Sequence, residues 1–303
     1  MKHLTLIWLL MTGVALAGES AVQLERDDLV LKGTFLNPDS ADTLVILHPG
    51  SGPTDRDGNQ TGMTNNSLRL LAEGLAGKGV AVLRYDKRGV GESRSAQPES
   101  DLRPSHYVND LVAWVKWGRA GGFDTIHLLG HSEGALFAKA AAQKALVDSV
   151  ISIAGAGRPI GIVLREQTEG RRPGEIGVQF EHILSELEAG RTVEEVPQIL
   201  HSLFRPSVQP YLIEWLVMDP VELAADLDVS LLAIGGSTDL QVSRGDFDAL
   251  GSHSDKSVWI KGMNHVLKSA NGPIEEQIVS YTSPDLPLHE DLVPLLVDWI
   301  GLE

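Results

Sequence analysis

A serine hydroxyl is a poor nucleophile at neutral pH and attacks a carbonyl carbon only when an imidazole takes its proton. A carboxylate commonly holds that imidazole in the correct tautomer. One stretch of the 303-residue chain offers a serine together with the turn needed to present it, Gly130-His131-Ser132-Glu133-Gly134. An apolar run at 126–129 reads as a short buried strand before it, and a helical stretch at 135–144 follows. Strand, G-x-S-x-G and helix together form the pattern of a nucleophile elbow. The turn puts the serine in a strained backbone conformation, and the two glycines keep side chains out of a crowded backbone. A five-residue pattern recurs by chance, so its weight comes from this placement and from the partners the rest of the chain supplies.

In an open parallel sheet the reactive groups come from loops at the carboxyl ends of strands. Downstream of Ser132 the histidines are His182, His201, His253, His265 and His289. Only His265 directly follows an apolar strand, in Val258-Trp259-Ile260-Lys261-Gly262-Met263-Asn264-His265, and it is the expected base, with His253 second. The same rule selects Asp239, in the loop Gly235-Gly236-Ser237-Thr238-Asp239 after Leu231-Leu232-Ala233-Ile234, as the acid. Asp226 and Asp228 precede that strand. An oxyanion hole needs backbone N–H donors. One is expected at Glu133, beside the nucleophile, and the other in Pro49-Gly50-Ser51-Gly52, at Ser51 or next at Gly52. The Glu133 side chain is expected to face a cap or solvent.

The elements that must position these groups follow a regular rhythm. Strands are expected at 28–35, 43–47, 80–83, 126–129, 147–153, 229–234 and 257–260. Helices are expected at 67–76, 107–117, 135–144 and 292–300. Such alternation predicts an α/β fold with a doubly wound, mostly parallel sheet. From about 158 to 227 the rhythm breaks. That region has helical patterns at 178–188, 194–204 and 210–217 without a buried strand, and it reads as an inserted helical cap. Phe204, Tyr211 and Trp215 read there as cap core. His131 and His48 read as packing residues, and Asp55-Arg56-Asp57 as a self-stabilising loop or, second, a substrate contact.

Residues 1–17 differ in character. Lys2 and His3 give a basic start, 4–14 is apolar, and Ala15-Leu16-Ala17 supplies small residues for cleavage, the three parts of a secretory signal peptide. Export to a periplasm or medium after cleavage at Ala17 is expected, leaving residues 18–303 as the mature domain. The apolar run falls short of the ~20 residues of a spanning helix. There is no cysteine, which removes disulfides, thiolate metal sites and a cysteine nucleophile. The 25 basic and 41 acidic residues give a net charge of −16, and loss of the leader removes one further positive charge, Lys2. With no basic stripe, nucleic acid is not an expected partner. No H-E-x-x-H and no G-x-G-x-x-G after a first strand occurs, so neither a metal nor a dinucleotide cofactor is implied.

Four motifs in order, His48-Pro49-Gly50-Ser51-Gly52-Pro53 and its continuation to Asn59, Asp86-Lys87-Arg88-Gly89-Val90-Gly91-Glu92-Ser93, the Ser132 elbow, and the late Asp239 and His265, resemble the α/β-hydrolase family in its serine hydrolase and esterase branch, with a distant likeness to prolyl-oligopeptidase-like members. The resemblance spans about 28–301, interrupted by the cap. Many members carry His-Gly in the first loop, where Pro49 precedes Gly50 here. No β-propeller repeat precedes the domain. The family likeness implies that Asp86 and Arg88 fix a structural turn near the site.

The expected chemistry is hydrolysis of a carboxylic ester of small or medium size through an acyl-enzyme. A peptidase, thioesterase or acyltransferase would use the same triad, and a non-catalytic binding protein could be built on the same scaffold. The acyl and alcohol groups are not encoded in these motifs.

Overall fold

The computed structural model describes residues 18–26, 29–38, 41–170 and 173–301. The leader expected at 1–17, and the expected start of the second strand at Asp28, lie outside the described residues.

Eight strands form one sheet: Glu19–Glu25 (β1), Val30–Leu36 (β2), Thr43–His48 (β3), Ala81–Tyr85 (β4), Thr125–His131 (β5), Ser149–Ile153 (β6), Ser230–Gly236 (β7) and Lys256–Ile260 (β8). Their order is β1-β2-β4-β3-β5-β6-β7-β8. From β4 across to β8 every pairing is parallel. β1 and β2 run antiparallel at one edge. β4 and β6 are buried throughout and β3 and β5 nearly so, because helices cover both faces of a parallel sheet.

The helices are Ser67–Ala76 (α1), Pro104–Ala120 (α2), Glu133–Ala142 (α3), Ile160–Thr168 (α4), Glu175–Glu188 (α5), His201–Phe204 (α6), Gln209–Leu216 (α7), Pro220–Ala225 (α8), Arg244–Gly251 (α9), Ile274–Ser280 (α10) and Leu292–Trp299 (α11). The period of two along each strand divides the core between the faces. Leu44 and Ile46 of β3 pack with Leu111 and Trp114 of α2 and Phe137 of α3. Their neighbours Val45 and Leu47 pack on the other side with Leu68 and Leu71 of α1 and Leu292 and Leu296 of α11.

Between β6 and β7 lie α4 to α8, with no strand among the described residues. This segment has its own small core, where Phe180, Ile183 and Leu184 of α5 meet Phe204 and Leu212.

Several boundaries differ from the sequence reading. The helix expected at 194–204 is a 3₁₀ turn, Gln198–Leu200, followed by the four-residue α6. Pro197 is responsible: it is extended (ψ 138°), and a proline disfavours helical backbone in the residue before it. The elbow helix starts at Glu133 and stops at Ala142, while β7 continues to Gly236. β1, α4, α8, α9 and α10 were not anticipated.

Candidate active site

Ser132 sits between β5 and α3 with φ 55° and ψ −123°, a region that costs a non-glycine residue roughly 1–3 kcal/mol. Its surroundings hold it there. Its amide donates to the Ile153 carbonyl of β6 at 2.9 Å, and both elbow glycines are closed to side chains. A Cβ at 130 would overlap the Gly134 peptide, and one at 134 would overlap the carbonyls of His48 and Pro49. The strain therefore persists because the strand, the helix and the first loop are packed backbone to backbone.

Asp239 lies in the turn after β7, where Oδ1 accepts the amides of Gln241 at 2.7 Å and Val242 at 2.9 Å. Oδ2 accepts from Nδ1–H of His265 at 2.9 Å. The side chains of His265 and Asp239 are 6% and 2% exposed. Burial raises the Asp239 carboxyl, but the His265 charge and hydrogen bond and the two amides outweigh it, so its pKa lies below the ordinary value. A charged carboxylate can only accept, so the Nδ1 proton is fixed on His265 and Nε2 is left as the basic nitrogen.

His131 does more than pack. Its Nε2–H donates to the His265 carbonyl at 2.8 Å, and the two rings lie 4.9 Å apart between centroids. The residue preceding Ser132 thus anchors the backbone of His265. Burial and then the nearby His265 charge push the His131 pKa down to about 3, so it stays neutral. The other histidine candidates are elsewhere: His182 on α5, His201 on α6 bonded to the Val196 carbonyl, and His289 bonded to the Lys261 carbonyl. His253 is exposed beyond α9, and Asp226 and Asp228 are exposed ahead of β7.

The first loop is pressed against the elbow. A Cβ on Gly50 would stand 3.1 Å from that of Ser132. Ser51 and Gly52 line a cavity together with Ser132 and Glu133. Asp55 Oδ1 accepts the amides of Asp57 and Asn59, Arg56 pairs with Asp86 at 2.7 Å, and Asp57 pairs with Arg84. All three residues are therefore engaged within the protein. Asp86 also accepts the amides of Arg56 and Glu92 at 2.8 Å each, while Arg88 forms a two-pronged pair with the buried Asp110. His48 is buried with Nδ1 2.6 Å from the Tyr85 hydroxyl, and burial lowers its pKa well below the ordinary value.

Of the two settings expected for the Glu133 side chain, the one facing the inserted helical segment holds. The Glu133 side chain is buried, and its Oε1 accepts from the Tyr211 hydroxyl of α7 at 2.7 Å. Burial raises its carboxyl pKa against the opposing pull of Lys87 and Tyr211. Tyr211 and Trp215 line the cavity together with Ser132, Trp215 also packing against the helical core as expected, while Phe204 is fully buried in that core. Lys87 was not singled out in the sequence. It is buried, and its Nζ donates to the Gly50 carbonyl and, at 2.9 Å, to that of Gly52. A lysine between Asp86 and Arg88 carries no sequence signal for burial, because its partners are backbone atoms 37 and 35 residues away.

The cavity holds about 480 Å³ and is walled mainly by apolar side chains, among them Leu136, Val163 and Leu212. Among the described residues no group of His, Asp and Glu could hold a metal ion, and no helix is long and apolar enough to cross a membrane.

A parallel sheet of this order, a strained serine on a strand-to-helix turn and a paired Asp and His on later loops define the α/β-hydrolase fold. A family model described as alpha/beta hydrolase fold matches residues 42–172. The chain is similar to esterase EstD of Thermotoga maritima, with 28% identity over 250 residues that cover 76% of this chain and 57% of the relative. The chain thus spans little more than half the length of that relative. Among solved structures, Est1E of Butyrivibrio proteoclasticus with ferulic acid bound superposes with a TM-score of 0.63 at 17% identity, covering 93% of this chain and 100% of that one. The Pyrococcus furiosus esterase Pf2001 gives 0.57 at 18% identity, covering 82% of each.

Proposed function

We propose that this protein is a serine hydrolase of carboxylic esters, with Ser132 as nucleophile, His265 as base and Asp239 as the acid that orients it. The observation that carries the reading is the Asp239–His265 hydrogen bond, joined through His131 to the elbow that holds Ser132. In this mechanism His265 Nε2 takes the Ser132 proton as Oγ attacks the ester carbonyl. The Ser51 and Glu133 amides receive the oxyanion. His265 then returns the proton to the leaving alcohol, and water hydrolyses the acyl-enzyme by the same relay. The esterase relatives of the same fold support the reaction class.

The cavity volume falls in the ~300–1,000 Å³ range of small-molecule sites, and its apolar walls suit a small or medium acyl group. Helices α4 to α8, which contribute Leu164, Leu212 and Trp215 to that wall, form the cap in this reading. Residues 1–17 are a signal peptide cut after Ala17, and the mature protein is exported; β1 begins at Glu19, so the cut leaves the sheet intact. The N-terminal sequence of protein recovered outside the cytoplasm tests export, and an N-terminus retaining Met1 contradicts it.

A panel of p-nitrophenyl esters of rising acyl length, with matched thioesters and anilides, tests the reaction. Turnover of the esters that disappears in Ser132→Ala is expected. Faster turnover of the anilides would instead assign a peptidase.

A further inference from the structure

The buried ammonium of Lys87 has a position that bears on the oxyanion hole. Lys87 is 3% exposed, and its Nζ donates to two carbonyls of the first loop, Gly50 and Gly52. The Gly50 carbonyl and the Ser51 N–H belong to one planar peptide unit, and in a trans peptide the two point in opposite directions. A donor clamped on the carbonyl therefore fixes the direction of the N–H. It also polarises the amide, since a charged hydrogen bond to the oxygen makes the nitrogen a stronger donor. The Thr54 hydroxyl holds the next carbonyl, Ser51, at 2.7 Å, so three successive carbonyls of the loop are tied down.

We propose that Lys87 is a positioning residue of the oxyanion hole, aiming and polarising the Ser51 amide by holding the Gly50 carbonyl from behind. The inference rests on the serine hydrolase reading above. Lys87 lines the same cavity as Ser132, but its Nζ is engaged by the loop carbonyls, so its role runs through the Ser51 amide. Glu133, on the elbow side of the same pocket, supplies the balancing charge, and the Tyr107 ring lies 5.9 Å from Nζ. Surface-type lysines hold water, whereas this one has exchanged its water for backbone oxygens that lead directly to the expected donor.

The test uses Lys87→Met and Lys87→Gln in the purified protein, with Lys87→Arg as the conservative variant. Met removes the donor, and Gln keeps a neutral one should the Met variant not fold. Each is assayed for kcat and KM on an activated ester and for inhibition by a trifluoromethyl ketone and its methyl ketone analogue. The trifluoromethyl ketone forms a tetrahedral oxyanion on the serine, and the methyl ketone forms little of it. The expected result is a kcat lower by roughly 10- to 100-fold, within what loss of an oxyanion donor costs. KM should hold within about twofold, the trifluoromethyl ketone should weaken in parallel with kcat/KM, and Arg should restore part of the rate. Folded variants with unchanged kcat and unchanged trifluoromethyl ketone affinity overturn the proposal and leave Lys87 a loop-packing residue. Wild-type protein that turns over no ester defeats the hydrolase reading itself, and the inference with it, before any variant is compared.

Discussion

The Tyr211 hydroxyl on α7 donates to the Glu133 carboxylate at 2.7 Å, so the residue next to the nucleophile is bonded to the helical segment above it. Glu133 is thereby a joint between two layers: its backbone belongs to the elbow and its side chain to the wall of the cavity. Tyr211→Phe leaves a buried carboxyl with one partner fewer, at a cost of about 1–3 kcal/mol. Thermal unfolding should register that loss. KM for the longest accepted acyl chain should change more than KM for acetate, because α7 supplies the wall of the cavity and not the reacting atoms.

Asp239→Asn keeps the shape of the pair and changes its protons. An amide can donate where the carboxylate only accepted, so the His265 ring can settle in the tautomer that puts the proton on Nε2. A fall in kcat of roughly 10³- to 10⁴-fold is expected, with KM changed little, measured by steady-state hydrolysis of a p-nitrophenyl ester. A loss below about tenfold would show that this pair is structural.

His131→Leu removes the donor to the His265 carbonyl and should let the base drift. A displacement of the order of 1 Å can cost about 100-fold in rate, so a kcat reduced by tenfold or more is expected. Because burial keeps the His131 pKa near 3, this residue holds no exchangeable charge in the working range. The acid limb of the pH–rate profile should therefore keep its midpoint while its plateau falls. A shifted midpoint would mean that His131 shares in the titration.

Lys139 lies on α3 with no exposed surface, and among the described residues its Nζ has no hydrogen-bond partner. Burial lowers its pKa to about 7, against about 10.4 in an unfolded chain. Between those values the unfolded state binds one more proton than the fold, so this group makes stability rise with pH there and exerts its full penalty below about pH 7. Lys139→Met should raise stability at pH 7 by ~1–2 kcal/mol or more. It should also flatten the climb in stability from pH 7 to 10, read as the difference between wild-type and variant denaturant midpoints.

Much of this architecture was legible because it is local. Apolar runs such as Leu44 to Leu47 announce strands covered on both faces, and the order of Ser132, Asp239 and His265 follows from which loops leave the carboxyl ends of strands. The pairing of His265 with Asp239 could be anticipated by that rule alone. β1 was missed because an edge strand half open to solvent, Glu-Ser-Ala-Val-Gln-Leu-Glu, has no continuous apolar run. α9 is eight residues long and is announced mainly by its capping box, Ser243 with Asp246. The roles of Lys87 and His131, and which way the Glu133 side chain faces, were illegible for another reason. Each is decided by a partner far along the chain: Gly50 and Gly52, Tyr211, and the His265 carbonyl. Residue type says that such groups can be charged, and only the fold says that they are buried.

The elbow glycines give a prediction about folding itself. Gly134→Ala would drive a methyl into the carbonyls of His48 and Pro49, which are backbone atoms that cannot swing aside. Loss of soluble protein, or a fold lacking serine reactivity, is expected on expression. A Gly62→Ala control meets open space, though its positive φ makes it mildly strained.

The central claim is that Ser132 is an activated nucleophile. Incubation of the purified protein with a fluorophosphonate, followed by intact mass and peptide mapping, tests it most directly. One adduct per chain on the peptide carrying Ser132 is predicted, absent in Ser132→Ala and strongly slowed in His265→Ala. A well-folded wild-type protein that remains unlabelled, or an adduct that persists in Ser132→Ala, would contradict it.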